Sequence, residues 1–344
     1  MPKKNPVVRS TAELADHLGL SRWTVSHGLN DRPWVKEETR RLIQDTAKAL
    51  GFTPNPLARG LQNGRTGMIG VCFNELENPI IVKKISILQR LLLERGYQGL
   101  IELTLGNPEI EQRVIQHFLG IRVEGIVTVN SRFDPAKLLA AAGAKIPLAH
   151  IDPYDESLLP HVRMDRAAAM ELLVLHAASL GHRRFALLGM PENEFGERWR
   201  GLHAGFAKAG INEGRDVRSI NRGDPNPPDY EHGRALAADL LESDFVPTVI
   251  LAVNDRVAIG AMNCLTEAGW QIPQKCSVTG FDNLDIGNHW RPRITTIDHQ
   301  TEDLLVRGIE LLFRRINRPR SAANYVETIP PSLVTRESTQ VAIN

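Results

Sequence analysis

Residues 10–30 read STAELADHLGLSRWTVSHGLN, and this stretch decides how the N-terminal part of the chain folds. Ser10 followed by Glu13 has the spacing of a capping box, in which the hydroxyl accepts a backbone N–H of the first turn and the carboxylate reaches back. Leu14, Ala15 and Leu18 then fall on one face of a helix that Gly19 ends. Ser21 is placed to cap a second helix whose inward face carries Val25 and Leu29, closed by Asn30-Asp31 and Pro33. A third helix, about 37–50, presents Leu42, Ile43, Ala47 and Leu50, with Gly51 where a left-handed cap is wanted. Helix, tight glycine-containing turn, helix is the helix-turn-helix arrangement. On the second helix Arg22, Trp23, Ser26 and His27 lie opposite Val25 and Leu29, so they can project into a major groove about 12 Å wide. There Arg22 and His27 are expected to donate to guanine acceptors and Trp23 to pack on a thymine methyl or the sugar-phosphate wall. The competing reading of the same face is a solvated polar surface with a half-buried Trp.

Charge supports the first reading. Residues 1–65 carry 11 Lys and Arg against 6 Asp and Glu, whereas the remainder carries 30 against 34. A basic segment on a slightly acidic body is what a polyanion gripped at one end requires, because phosphate neutralisation supplies the sequence-independent part of nucleic-acid affinity. After Pro54-Asn55-Pro56 comes a linker bounded by Pro and Gly, residues 57–64, with weak helical potential. Leu61 on such a short helix, beside Arg59, suggests an apolar wedge for a minor-groove base step flanked by a phosphate contact; the alternative is a core leucine.

Beyond the linker the texture changes to short apolar runs at 68–73, 99–104, 125–129, 147–151, 185–189, 249–253 and 277–281, separated by amphipathic stretches. These predict buried parallel strands alternating with helices: a doubly wound α/β body in two lobes of about four strands each. At 344 residues, 42% hydrophobic and 24% charged, the chain has the make-up of a soluble protein of two or three domains. It has no run of 18 apolar residues and no signal peptide, so a cytoplasmic protein without a membrane span is expected. Cys72, Cys264 and Cys276 lack metal or disulfide spacing. Gly-x-Gly-x-x-Gly, Gly-Lys-Ser/Thr, Gly-x-Ser-x-Gly and His-Glu-x-x-His are all missing, so no catalytic residue, cofactor or metal is expected.

Thr11 to Asn30, Glu38-Thr39-Arg40, 50–55 and 64–71 together resemble the lactose and galactose repressor (LacI/GalR) family. The likeness continues in family order through Asn78-Pro79, Val123-Glu124-Gly125-Ile126, Leu180-Gly181-His182-Arg183-Arg184, 254–260, 277–283 and Thr295-Thr296-Ile297. The resemblance implies a three-helix helix-turn-helix headpiece at 1–54, a hinge helix at 55–65 and a two-lobed periplasmic-binding-protein-like sensor at 66–340. Its N-lobe is expected at about 66–163 and 295–320, its C-lobe at about 164–294 and 321–340. It implies a homodimer on a pseudo-palindromic double-stranded operator, released or tightened by a small effector, a carbohydrate or related metabolite. Thr24, Asn30, Asn55, Ala58 and Arg59 join Arg22, Trp23, Ser26, His27 and Leu61 as implied DNA contacts. Three departures stand out: His27 where Arg is frequent, Lys36 where a Ser cap is usual, and Met164-Asp165-Arg166-Ala167 in place of Asp-Asn-Arg-Ala.

For the effector, the resemblance points to Asp152, Arg198, Asn254 and Asp282, with Asn74, Glu75, Asn130, Tyr230 and His299 at the rim. Asp152, Asn254 and Asp282 follow predicted strands, where open α/β sheets place ligands, although Asp or Asn after a strand also serves simply as a helix cap. Two other functions remain open on sequence: a solute-binding or sugar-converting protein of the same two-lobed fold, and a regulator that senses a protein partner.

Overall fold

The computed structural model describes residues 8–30, 34–53, 65–131, 134–141, 143, 145–154, 156–193, 195–223, 229–318 and 321–343. The chain divides into two compact units, residues 1–67 with 121–124 and residues 68–120 with 125–344. The smaller holds α1 (Thr11–Leu18), α2 (Arg22–Leu29) and α3 (Glu37–Ala49). Ser10 accepts from Glu13 N, and Glu13 returns to the backbone N–H of Arg9. Ser21 caps α2 by accepting from Thr24 N at 3.1 Å. Gly19 and Gly51 take the left-handed conformation that a side chain would strain. Lys36 offers α3 no side-chain cap. Leu14, Ala15, Val25, Val35, Ile43, Ala47 and Phe52 form the core. Leu42, expected inward, is 53% exposed, because it lies about 100° around the helix from Ile43, which faces Gly28. The linker residues Asn55, Ala58, Arg59 and Leu61 lie outside the described residues.

The larger unit runs β1 (Met68–Phe73), α4 (Pro79–Glu94), β2 (Gln98–Leu103), α5 (Pro108–Gly120), β3 (Gly125–Val129), α6 (Pro135–Ala141), β4 (Leu148–Ile151), β5 (His161–Met164) and α7 (Arg166–Ser179). It continues with β6 (Phe185–Leu188), α8 (Gly196–Ala209), α9 (Glu213–Asp216), β7 (Val217–Ile220), α10 (Tyr230–Glu242), β8 (Val249–Ala252), α11 (Asp255–Glu267), β9 (Ser277–Thr279) and α12 (Asp285–His289). β10 (Thr296–Asp298), α13 (Thr301–Asn317), β11 (Val326–Ile329) and β12 (Ser332–Val334) complete it. Six parallel strands in the order β11-β5-β4-β3-β1-β2 form one lobe, and four in the order β7-β6-β8-β9 form the other. β10 and β12 pair antiparallel, and a bridge from Thr279 to Thr295 joins them to the four-stranded side. Among the described residues no helix is long and apolar enough to cross a membrane.

The lobe boundaries need correction. β11, placed by sequence in the C-lobe, pairs in parallel with β5 of the N-lobe sheet, while β10, placed in the N-lobe, pairs with β12 and buries Ile297 in the C-lobe core. The chain therefore crosses between lobes after β5, after β10 and again between β11 and β12. The strands that escaped reading, β5, β7, β10, β11 and β12, are three or four residues long and carry polar members, so they leave no apolar run.

Two helix pairs set the C-lobe's shape through glycine. A Cβ at Gly201 of α8 would fall 2.0 Å from the Ala167 carbonyl oxygen of α7, and one at Gly260 of α11 1.9 Å from that of Tyr230 in α10. Neither backbone oxygen can move without shifting its helix. Gly260→Ala is expected to destabilise the sensor unit by about 1–3 kcal/mol or more, the cost of overpacking. Gly120→Ala, with open space around it, should leave the urea midpoint near wild type; equal midpoints for the two variants would show that the helix pair has slack.

Candidate functional site

The exposed face of α2 differs from its sequence reading in detail. Arg22 is exposed and Trp23 is 56% exposed. The Trp23 and His27 rings, four residues apart and so on one helix face, stack with centroids 4.1 Å apart and planes 26° apart. His27 Nδ1 lies 2.8 Å from the Trp23 carbonyl oxygen. Thr24 Oγ1 shares a 2.8 Å hydrogen bond with Ser21, and Asn30 Nδ2 donates to the Ser26 carbonyl at 2.7 Å. Thr24 and Asn30 thus also serve the ends of their own helix, whereas Arg22, Trp23 and His27 form its outward face.

The second site lies at the carboxyl ends of the strands in the larger unit. Asn130 after β3, Asp152 after β4 and Asp282-Asn283 after β9 all take positive φ, between 49° and 104°. Asn and Asp tolerate this region better than most residues, so the chain can turn there and aim short polar side chains into the crevice. Asp152 is fully buried and fully used: Lys84 donates to one oxygen at 2.6 Å, and Arg166 and Met164 N donate to the other at 2.7 and 3.3 Å. Lys84 also donates to Asn130 Oδ1 at 2.9 Å, while Asn74 is held between the Asn130 carbonyl and Thr104. Burial alone would push the Asp152 carboxyl up, but Arg166 and Lys84 outweigh it and hold it well below the usual carboxylate range. Asp152, expected from sequence at the effector site, has both oxygens engaged by Lys84, Arg166 and Met164 N and anchors these neighbours.

Arg198 keeps binding capacity. One Nη donates to the Val253 carbonyl at 2.7 Å, the guanidinium lies 3.8 Å from the centroid of Phe281, and its Nε has no hydrogen-bond partner. Burial pulls its pKa down to about 10, which leaves it charged at neutral pH. Asp282 stands 2.9 Å from His299 Nε2, an ion-pair distance without hydrogen-bond alignment, and His299 packs edge-on against Phe281. Asn254 caps α11 by accepting from Val257 N at 2.8 Å. Tyr230 is exposed at the first turn of α10. Burial raises the carboxyl of half-buried Glu75 against the pull of Arg256, a buried residue of α11 whose Nε and one Nη are unpartnered.

Lys84, Arg166 and Arg256 were missed in sequence. Lys84 did leave a signal: it interrupts the stripe Ile81, Leu88, Leu91 and Leu92 that α4 buries, and a charge on an apolar stripe needs a buried partner. Among the described residues no group of three or more His, Cys, Asp or Glu is arranged to hold a metal.

A periplasmic binding protein-like domain is matched over residues 174–339. The chain is 27% identical over 330 residues to the HTH-type transcriptional repressor PurR of Mannheimia succiniciproducens, covering 95% of this chain and 97% of that protein. PurR of Histophilus somni is also 27% identical, over 331 residues and with the same coverage. The fold of this chain matches the Lac repressor dimer bound to operator and the anti-inducer ONPF, at TM-score 0.83 and 23% identity over 95% of this chain and 98% of that one. A transcriptional regulator CelR–cellobiose complex matches at TM-score 0.69 and 22% identity over 96% and 100%.

Two predictions follow from the buried charges. Asp152→Asn strands Lys84 and Arg166, and should cost about 3–5 kcal/mol, most of it recovered when Lys84→Met is added; a double-mutant cycle in urea with additive losses would contradict the pairing. Asp255 is buried beneath the site, accepting from Thr296 and Leu284 N at 2.7 Å each, and burial pushes its pKa up to about 8. Above about pH 4 the unfolded chain loses this proton while the folded protein keeps it to about pH 8, so this group makes stability fall as pH rises through that window. Asp255→Asn should flatten the fall; parallel urea-midpoint curves for wild type and variant between pH 4.5 and 8.5 would show that Asp255 holds no such proton.

Proposed function

We propose that this chain, a member of the lactose and galactose repressor (LacI/GalR) family, is a ligand-responsive, sequence-specific DNA-binding repressor that acts as a cytoplasmic homodimer. The observation that carries the reading is the joint presence, in one chain, of a helix-turn-helix unit presenting Arg22, Trp23 and His27 and a two-lobed body whose crevice gathers Arg198, Asp282 and His299. A solute-binding or sugar-converting protein has no use for the first of these. No catalytic step belongs to the reading.

In this reading α2 enters the major groove, with Ser26 near the helix's reading edge, and the linker residues Asn55, Ala58, Arg59 and Leu61 complete the DNA contact. One eight-residue helix reaches too few bases to select a site alone, so two protomers read a pseudo-palindrome. The effector is a polyhydroxylated sugar or related metabolite. Arg198 donates to its oxygens, Asp282 accepts from its hydroxyls, and Phe281 and Tyr230 offer apolar faces. Glu75 and Asn74 approach from the N-lobe and Asn254 from the C-lobe. An effector that touches both lobes favours one relative orientation of them, and its differential affinity for the two orientations sets the change in DNA affinity.

The test is operator titration by fluorescence anisotropy with and without members of a sugar and nucleobase panel. Binding should weaken steeply with salt, and an effector should shift operator affinity by about 1–3 kcal/mol. Arg198→Ala and Asp282→Ala should keep operator binding and lose the shift. By linkage the operator must change effector affinity by the same factor. Identical effector affinities with and without operator would sink the coupled switch, and an undiminished response in both variants would move the effector site elsewhere.

A further inference from the structure

The Trp23–His27 pair on α2 carries a consequence for base selection, and it rests on the reading of α2 as the helix that enters the groove. His27 Nδ1 lies 2.8 Å from the Trp23 carbonyl oxygen. A carbonyl oxygen carries no hydrogen and can only accept, so Nδ1 must be the protonated nitrogen of the ring. In the neutral imidazole the other nitrogen, Nε2, then presents a lone pair and no hydrogen. The stack on Trp23, with centroids 4.1 Å apart and planes 26° apart, fixes the plane of the ring. The bond to the carbonyl one helical turn back fixes its rotation. In its neutral form His27 is therefore a preset acceptor, oriented before any DNA arrives, and little rotamer freedom remains to be lost on binding.

Base edges in the major groove are asymmetric toward such a group. Adenine N6 and cytosine N4 are donors, whereas guanine N7 and O6 and thymine O4 are acceptors. A lone pair aimed at guanine or thymine meets another lone pair; aimed at adenine or cytosine it meets an N–H. We infer that His27 reads an exocyclic amine, so that the base it faces in each half-site is adenine or cytosine and not guanine or thymine. Arg22 has the opposite polarity, since a guanidinium only donates and its best match is guanine. In this inference the outward face of α2 pairs one donor with one acceptor, in place of the two guanine donors that the sequence suggests. Trp23 acts here as a positioning residue: it supplies the carbonyl and the stacking plane, and the reading atom belongs to His27.

The experiment is selection from a randomised pseudo-palindromic library by the full-length protein at pH 8. The selection is run in parallel with His27→Ala, His27→Arg and Trp23→Ala, followed by competition among duplexes that differ at the base pair whose preference His27→Ala erases. Wild type should prefer adenine or cytosine there by about threefold to tenfold, the worth of one net hydrogen bond. His27→Ala should lose that preference and no other, and His27→Arg should move it to guanine. Trp23→Ala should reduce the discrimination at that same position and leave the preferred base unchanged. Wild-type enrichment of guanine or thymine at the position that His27→Ala erases overturns the inference and leaves the repressor reading standing. So does an unchanged base profile in His27→Ala. Undiminished discrimination in Trp23→Ala overturns the positioning role of the stack. Failure of the wild-type protein to enrich any sequence overturns the repressor reading and this inference together.

Discussion

The buried carboxylate of Asp152 is the contact on which the sensor unit depends. An ion this deep persists only if its charge is matched and its lone pairs are filled, and here Lys84, Arg166 and the Met164 amide do both. From that point the charges alternate outward. Arg166 approaches Glu197 at 3.7 Å, Glu197 pairs with Arg163 at 2.8 Å, Arg163 stands 3.3 Å from Glu156, and Glu156 meets Arg200. Lys84, Asp152, Glu156 and Arg163 belong to the six-stranded lobe, whereas Arg166, Glu197 and Arg200 lie on helices packed with the four-stranded one. A rotation of one lobe against the other has to lengthen or re-pair some of these contacts. Packed ionic contacts of this kind resist continuous deformation and favour a small number of discrete arrangements, which is the property a switch requires.

The crevice exists because parallel strands leave their carboxyl ends to loops, and because those loops begin with residues that accept a left-handed backbone. Asn130, Asp152 and Asp282 each turn the chain in that conformation immediately beyond the strand region and bring their own side chains into the gap. The same residue type thereby satisfies a backbone demand and supplies the polar lining. This double duty explains why an Asp or Asn after a strand cannot be sorted by sequence into cap, anchor or ligand. Asn254 caps α11, Asp152 is held by Lys84 and Arg166, and Asp282 stands opposite His299.

What was legible in sequence is what local physics determines. Ser10, Glu13, Gly19, Ser21 and Gly51 specify their helix ends through contacts no more than four residues away, and the buried strands β1, β3, β6 and β8 declare themselves as apolar runs. What was not legible depends on distant partners. Lys84 is buried because Asp152, 68 positions later, neutralises it. β11 joins the N-lobe sheet only because the chain crosses back after α13, and no property of Val-Glu-Thr-Ile states which sheet edge will receive it. The Trp23–His27 stack is an intermediate case: its four-residue spacing is visible, but which ring nitrogen the helix claims is not.

The energies involved are small compared with the structure that carries them. Specific DNA contacts discriminate by about 1–3 kcal/mol per base pair, and allosteric coupling between sites has a similar size. A rigid headpiece with preset side chains spends little on ordering when it binds, so most of each base contact survives as discrimination. Two headpieces on a symmetric site apply that discrimination twice. A sensor that changes the relative orientation of its lobes then needs only a coupling of a few RT to move occupancy across the useful range. The heavily paired charges around Asp152 suit this purpose, and in the proposed function the Arg198–Asp282 region, where Arg198 Nε has no hydrogen-bond partner, is where a ligand would tip the balance.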